Sequence, residues 1–174
     1  EQYVDLEIRN IYNERVAQGQ DPEEVMAAIH ARCRDNARTP MQWTAGKNAG
    51  FTTGTPWLPV NPNYPEVNAE TALADPDSVF HHYRRLISLR KTLPVFRDGT
   101  FTLLVPEDEQ VFAYTRDTEE EHMLVVCNFS GESADFSIPP EFAQSEILIE
   151  NYRDRESSLR PYEARIYYYK QSKE

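Results

Sequence analysis

The sequence predicts an α+β fold, in which helices and a long irregular segment precede an antiparallel β domain. Two observations predict this order. Apolar residues recur at helical spacing as far as Leu93, and after Pro94 they alternate with a period of two. Before the last helix, a stretch of about thirty residues, 34–64, has no regular period. We therefore predict two domains, at residues 1–94 and 95–174.

The first helix is predicted over residues 5–18, and Gly19 is placed to end it. Its apolar residues fall at helical spacing: Leu6, Ile8, Ile11, Tyr12 and Val16. Asp21 is predicted to cap a second helix, because Pro22 follows at the first helical position and acidic residues occupy the first turn.

The irregular segment 34–64 contains many proline and glycine residues, which interrupt regular structure. It also carries aromatic residues throughout, namely Trp43, Phe51, Trp57 and Tyr64. A flexible linker seldom carries such rings, because the rings need burial or a ligand. We therefore expect an ordered loop, with Phe51 and Trp57 in the core.

The clearest helix is predicted over residues 77–92. Asp77 is in position to cap it, and apolar residues fall on one face with basic residues opposite. Pro94 ends the helix, because proline disfavours the helical conformation in the residue before it.

Six short runs after Pro94 have the alternation and the β-branched or aromatic content of strands. They are residues 101–105, 111–115, 122–129, 134–138, 146–149 and 164–169. Turns that are acidic or contain glycine or proline separate them. Short strands at this spacing are typical of an antiparallel β-sandwich, so a sandwich is the predicted form of the second domain.

The composition limits the classes of function. A formal net charge of −11 repels nucleic-acid backbones and anionic membranes. No stretch is apolar and long enough to span a bilayer. The two cysteines, Cys33 and Cys127, make neither a disulfide framework nor a zinc-binding pattern. We expect a cytoplasmic protein without cofactor or metal, which binds neither nucleic acid nor membranes.

Residues 34–43, Arg-Asp-Asn-Ala-Arg-Thr-Pro-Met-Gln-Trp, open the irregular segment, and Trp57 lies later in it. Guanidinium groups, amides and indoles on one loop suit sugar binding, because the polar groups hydrogen-bond to hydroxyls and a ring covers the apolar face of a pyranose. The alternative is a buried Arg–Asp network that holds the loop while the tryptophans pack in the core. The residue types alone do not separate the two.

The same stretch resembles a signature of the oligo-1,6-glucosidase group of the α-amylase superfamily (glycoside hydrolase family 13). That group includes dextran glucosidase and trehalose-6-phosphate hydrolase. Further similar segments follow in the same order: Asn48–Gly54, Val60–Tyr64, Ala72–Phe80, Tyr83–Lys91 and Leu159–Ala164. The resemblance covers nearly the whole chain. It implies the C-terminal end of a (β/α)₈ barrel followed by an antiparallel β-sandwich domain.

The resemblance also implies a chemistry. Members of the group hydrolyse glycosidic bonds with retention, using an Asp nucleophile and a Glu acid/base. These residues lie in motifs of the Gly-x-Arg-x-Asp and Asn-His-Asp type, and neither motif occurs in this chain. We therefore expect the C-terminal portion of an α-glucosidase that removes terminal α-1,6-linked glucose from isomalto-oligosaccharides. The chain itself would hold no catalytic residue and would be inactive alone.

The resemblance implies two substrate-binding residues in this chain. Arg34 matches the family arginine that grips the terminal glucose in the −1 subsite, and Glu7 matches an acidic residue near the +1 subsite. The chain departs from the family pattern at Val4, where members often have arginine, and at Cys33, where a small residue is common. Other residues of the signature are expected to form loop scaffold: Asp35, Arg38, Gln42 and Trp43.

Two other functions stay open. Trehalose-6-phosphate hydrolysis belongs to the same group, and its phosphate-binding residues would lie mostly outside this chain. A function of a different class is a self-standing β-sandwich module that binds sugar on Trp43 and Trp57. For a barrel fragment, helices 5–18 and 77–92 would expose apolar faces, so we expect either self-association through those faces or a poorly ordered N-terminal third.

Overall fold

Helices and loops make up the first part of the chain, and a β-sheet dominates the second. The computed structural model describes residues 5–154 and 156–171. They form two units that divide between His82 and Tyr83. This division by packing does not decide the domain limits predicted above, and they stay a prediction.

The two helices predicted at the start of the chain are confirmed. Helix α1 (Leu6–Ala17) begins where the Asp5 side chain accepts a hydrogen bond from the Glu7 backbone N–H. Helix α2 (Pro22–Arg32) begins in the same way at Asp21. The two helices pack through a small apolar cluster of Ile8, Tyr12, Val25, Met26, Ile29 and Cys33. Cys33 is therefore a packing residue at the end of α2.

The irregular segment is ordered by polar contacts. Short 3₁₀ turns form at Arg34–Ala37 and Lys47–Gly50, and three successive residues, Asn48 to Gly50, have positive φ. The buried Ala49 accepts two backbone hydrogen bonds through its carbonyl oxygen, from the N–H groups of Trp43 and Thr44. The amide of Gln42 donates to Asn63 and to the Val67 carbonyl. These hydrogen bonds hold the loop in place.

The prediction that Phe51 and Trp57 lie in the core is wrong. The exposed fraction is 49% for Phe51, 76% for Trp57 and 51% for Trp43. The rings were expected to order the segment, but the backbone and amide hydrogen bonds do so instead. A short helix that the periodicity did not predict, α3 (Ala69–Ala74), follows the segment and is capped by Asn68.

Helix α4 (Val79–Thr92) confirms the last predicted helix and begins two residues after the predicted cap. One turn of helix, α5 (Val95–Asp98), leads into the sheet. No helix among the described residues combines the length and the apolarity that a membrane crossing requires. The sheet has five antiparallel strands in the order β1-β2-β3-β5-β4. They are β1 (Thr100–Leu103), β2 (Val111–Asp117), β3 (Glu121–Asn128), β4 (Glu146–Glu150) and β5 (Ala164–Lys170).

Both faces of the central strand β3 are buried, which explains its nearly continuous apolar sequence. One face contributes Leu124 and Val126 to a cluster that also holds residues of the irregular chain after β3, namely Ala134, Phe142 and Leu159. The opposite face contributes Met123 and Val125 to a cluster with Val95 and with the leucines of α4, Leu86 and Leu89. The sheet therefore lies between irregular chain on one side and a helix on the other.

The antiparallel sheet is confirmed, but the predicted form of a two-sheet sandwich is not found in the described part of the chain. Residues 134–138, predicted as a strand, make a single bridge between Ala134 and Leu159. Phe136 and Ile138 still pack against the sheet, so the alternating pattern correctly indicated which side chains of the segment face the core. Pro139 and Pro140 follow directly, and proline has no N–H with which a ladder could continue beyond the segment.

Candidate functional site

The packing of α1 on α2 brings the two predicted sugar-binding residues together. Glu7 lies in the first turn of α1, and Arg34 opens the 3₁₀ turn that follows α2. The Arg34 NH2 lies 2.9 Å from Glu7 Oε2, and the two side chains are 56% and 66% exposed. The pair can therefore be reached by a ligand from solvent.

A third residue, Asp5, holds the arginine from the other side. Asp5 Oδ2 accepts hydrogen bonds from Arg34 Nε at 3.2 Å and from Arg34 NH2 at 2.8 Å. The Asp5 side chain is only 5% exposed, so this ion pair is shielded from solvent. Arg34 thus has one buried anionic partner and one exposed anionic partner.

Neighbouring groups determine the ionisation of Asp5 and Arg34. Burial of Asp5 raises its pKa, but hydrogen bonds from Arg34 and from the Glu7 N–H, together with the charge of Arg34, outweigh burial and leave the pKa below its ordinary value. The pKa of Arg34 is raised, first by its hydrogen bond to Asp5 and then by the charges of Asp5 and Glu7. Both groups are therefore ionised at neutral pH.

Two residues that were expected to form scaffold extend the cluster. Arg38 NH1 lies 3.7 Å from Asp5 Oδ2 and 3.6 Å from Asp35 Oδ1. Asp35 is buried, and among the described residues neither of its carboxylate oxygens has a hydrogen-bond partner. The arrangement resembles the Arg–Asp network considered from the sequence, except that Arg34 and Glu7 stay accessible. The scaffold role of Arg38 and Asp35 stays a prediction.

The cluster has the chemistry of a binding site for hydroxyl groups. A guanidinium group donates hydrogen bonds, and the adjacent Glu7 carboxylate accepts them, so one sugar can satisfy both. A general acid needs a carboxyl group with a raised pKa, whereas the pKa of Asp5 is lowered. Within residues 5–154 and 156–171, no three or more His, Cys, Asp or Glu side chains are grouped so that they could hold a metal ion.

Comparison with known proteins finds one family model for the first part of the chain and another for the second. A family model described as the α-amylase catalytic domain matches residues 5–99. The chain belongs to the α-amylase family. A second model, the C-terminal domain of maltogenic amylase, matches residues 101–166, which include strands β2 to β4, most of β1 and the beginning of β5. The α-amylase-family chain therefore joins a segment of a catalytic domain to a C-terminal β domain.

The curated relatives of this α-amylase-family chain are glycoside hydrolases. The oligo-1,6-glucosidase of Halalkalibacterium halodurans is 50% identical over 96% of this chain and 31% of its own length. The trehalose-6-phosphate hydrolase of Bacillus subtilis is 43% identical over 95% of this chain and 31% of its own length. The chain thus spans about a third of the length of these relatives and corresponds to their C-terminal part.

Solved structures show the same fold. The Bacillus licheniformis trehalose-6-phosphate hydrolase, as the R201Q mutant, aligns with a TM-score of 0.89 at 37% identity, over 98% of this chain and 32% of the other. The trehalulose synthase MutB of Pseudomonas mesoacidophila aligns with a TM-score of 0.85 at 39% identity, over 96% of this chain and 32% of the other. A trehalose-6-phosphate hydrolase and a trehalulose synthase therefore share this part of the fold.

Sequence reasoning missed Asp5 as a site residue. Two signals pointed to it: its position directly before α1, where a cap is expected, and its place two residues before Glu7. Neither signal shows that its second oxygen meets an arginine 29 positions away in the sequence. That contact depends on how α1 packs on α2.

Proposed function

We propose that the chain is the C-terminal part of a retaining α-glucosidase that removes terminal α-1,6-linked glucose from isomalto-oligosaccharides. In this proposal Arg34 and Glu7 bind the sugar. The observation that carries it is the exposed Arg34–Glu7 pair at 2.9 Å, within the segment that matches the α-amylase catalytic domain. Relatives that are 48–50% identical and named oligo-1,6-glucosidase support the choice of substrate.

In this proposal the residues of this chain bind the sugar, whereas the nucleophile and the acid/base come from outside this chain. The Arg34 guanidinium donates hydrogen bonds to hydroxyls of the terminal glucose, and Glu7 accepts hydrogen bonds from the same sugar or the next one. Orienting the sugar in this way raises the rate because the reacting groups meet in a fixed geometry. We place the enzyme in the cytoplasm, and residues 1–94 and 95–174 in its barrel and its β domain respectively.

Trehalose-6-phosphate hydrolysis is the second candidate, and the relatives named trehalose-6-phosphate hydrolase support it. The charge of the site argues against it. Three carboxylates, those of Asp5, Glu7 and Asp35, face the two guanidinium groups of Arg34 and Arg38. This excess of negative charge disfavours a phosphate group at the cluster itself, although the phosphate-binding residues would lie mostly outside this chain.

The sugar-binding module is the third candidate, and the exposure of Trp43 and Trp57 supports it. It makes a separate prediction, because the 174-residue chain alone would then bind isomaltose, and a Trp57→Ala change would abolish the binding. Calorimetric titration of the chain with isomaltose tests this. If the chain alone neither binds isomaltose nor cleaves p-nitrophenyl-α-glucoside, the result favours the glucosidase fragment.

The central experiment restores the missing part of the enzyme. The matching C-terminal segment of the Halalkalibacterium halodurans oligo-1,6-glucosidase is replaced by this chain, and kcat/KM is measured for isomaltose and for trehalose-6-phosphate. We expect isomaltose to be the better substrate. A chimera that prefers trehalose-6-phosphate would contradict the proposed specificity.

In this chimera, Arg34→Lys keeps the positive charge beside Asp5 but loses the planar fork of donors. We expect kcat/KM for isomaltose to fall by about 10- to 100-fold, the range of one or two charge-assisted hydrogen bonds, while Tm stays nearly unchanged. Arg38→Lys is the matched control, because Arg38 belongs to the same cluster. Equal losses in both variants would show that Arg34 has only the scaffold role expected of Arg38.

A further inference from the structure

One carboxylate group, that of Asp5, makes two separate contacts with its two oxygens. Oδ1 accepts the Glu7 backbone N–H at 3.0 Å and caps α1. Oδ2 accepts Nε and NH2 of Arg34 at 3.2 and 2.8 Å. The side chain is 5% exposed, so it cannot turn towards solvent without breaking both contacts. Asp5 therefore ties the start of α1 to the arginine after α2.

We propose that Asp5 is the positioning residue of the sugar site: it sets the place of Glu7 through the helix cap and the orientation of Arg34 through the ion pair. The proposal rests on the proposed function, because it assigns to Asp5 the preparation of the two sugar-binding residues. It adds a residue that does not itself touch the sugar. A side chain that is held in place before binding loses less conformational entropy when the ligand binds, so the entropic cost of binding is lower.

The contacts also identify the part of Arg34 that meets the sugar. Asp5 engages Nε and NH2, and Glu7 engages NH2. Within the described part of the chain no hydrogen bond or ion pair uses Arg34 NH1, and the side chain is 56% exposed. NH1 therefore has its two N–H groups available for sugar hydroxyls, while Asp5 holds the plane of the guanidinium group.

The chain contains a matched control for the cap. Asp21 caps α2 in the same way, with Oδ1 2.9 Å from the Glu23 N–H. The described residues place no guanidinium group against Asp21. Serine also caps helices but is too short to reach the arginine. Asp5→Ser and Asp21→Ser therefore make the same change at a helix start, and only the first removes the ion pair.

The first measurement uses the 174-residue chain and the NMR signal of the Arg34 Nε–H group. We expect Asp5→Ser to raise the solvent-exchange rate of this proton by at least about tenfold, because a charge-assisted hydrogen bond is lost. Asp21→Ser should leave it unchanged. Asp5→Asn, which keeps the size and the cap acceptor, serves as a second variant if the serine variant does not fold. An unchanged exchange rate in a folded Asp5 variant would overturn the proposal.

The second measurement uses the chimeric enzyme and separates this proposal from the proposed function. We expect Asp5→Asn to raise KM for isomaltose by about tenfold, as expected for the loss of one oriented charged group, and Asp21→Asn to leave it unchanged. One outcome separates the two proposals: the Asp5 variants raise the exchange rate of the Arg34 Nε–H, but KM for isomaltose does not change. Asp5 then positions Arg34 as proposed, and the role of Arg34 in sugar binding is overturned.

Discussion

At the scale of single residues, the site depends on how one buried carboxylate is kept ionised. Asp5 stays charged although it is shielded from solvent, because Arg34 and the Glu7 N–H donate hydrogen bonds to it. Replacing Arg34 by an apolar residue would leave the buried Asp5 carboxylate with only the more distant Arg38 as a charged partner, which is costly. Conservative changes such as Arg34→Lys therefore test binding more cleanly than truncation does.

The lowered pKa of Asp5 predicts how the packing of α1 responds to acid. A group whose pKa is lowered in the folded state stabilises that state above its unfolded pKa and loses the contribution as the pH falls through its folded pKa. We expect the thermal stability of the chain to fall below about pH 4, the ordinary range of an aspartate. Asp5→Asn should flatten this part of the stability-against-pH curve, while Asp21→Asn should not. An identical acid response in both variants would contradict the prediction.

At the scale of elements, the loop 34–64 is held by a conformation that only glycine adopts without strain. Gly50 has φ +67°, and an added Cβ would lie 2.7 Å from Thr44 Oγ1. We expect Gly50→Ala to destabilise the loop by about 1–2 kcal/mol, measured by chemical denaturation. Gly54→Ala is the control, because its Cβ would meet Thr52 Oγ1 at an ordinary 3.7 Å. A Gly54 variant as unstable as the Gly50 variant would show that the added methyl, and not the backbone conformation, is responsible.

The β domain contains a buried ion pair next to strand β5. Glu163 is fully buried, and its Oε1 accepts Arg165 Nε at 2.8 Å while Oε2 accepts the Arg160 N–H at 2.8 Å. Burial raises the pKa of Glu163, but these hydrogen bonds and the charges of Arg165 and Arg160 outweigh it and lower the pKa.

We expect Glu163→Gln to destabilise the protein by about 3 kcal/mol, because it leaves the buried Arg165 without a counter-charge. Thermal or denaturant unfolding measures this. Asp98→Asn removes the partner of an exposed ion pair with Arg97, at 3.7 Å, and should cost well under about 1 kcal/mol. Equal effects of the two changes would show that burial does not determine the strength of these pairs.

At the scale of the whole molecule, helix α4 exposes a row of apolar side chains. Val79, Tyr83 and Ile87 follow one another at helical spacing and are 72%, 61% and 50% exposed. Exposed apolar faces of this kind promote association. We propose that the 174-residue chain self-associates through this face, and that in a whole enzyme the rest of the barrel covers it.

Sedimentation of the chain over a range of concentrations tests this proposal. We expect a concentration-dependent mass that Ile87→Glu lowers to that of a monomer. Ser88→Glu adds the same charge to a neighbouring exposed position of α4 and should leave the association intact. Association that survives Ile87→Glu would exclude this face, and a chimeric enzyme that associates as strongly as the isolated chain would contradict the role of the barrel.

The sequence by itself determined the order of the elements and the residue types of the site. Helix caps at Asp5 and Asp21, the change of period after Pro94 and the Arg34–Trp43 signature depend on neighbouring residues, so they can be recognised without a structure. The same local signals misplaced Trp57 in the core, since its loop is ordered by hydrogen bonds and not by its rings, among them contacts of Gln42 with residues 21 and 25 positions away. They also predicted a strand at 134–138, where the chain packs without pairing.

Only the tertiary structure decided that Arg34 and Glu7 lie side by side. They are 27 positions apart, and the packing of α1 on α2 through Val25, Ile29 and Cys33 brings them to 2.9 Å. The same packing brings Asp5 Oδ2 to 2.8 Å from the Arg34 guanidinium group, a contact that neither the cap position of Asp5 nor its spacing to Glu7 indicates. The sequence specifies which residues are present. The spatial distance between residues that are far apart in the sequence is set only when apolar faces pack together.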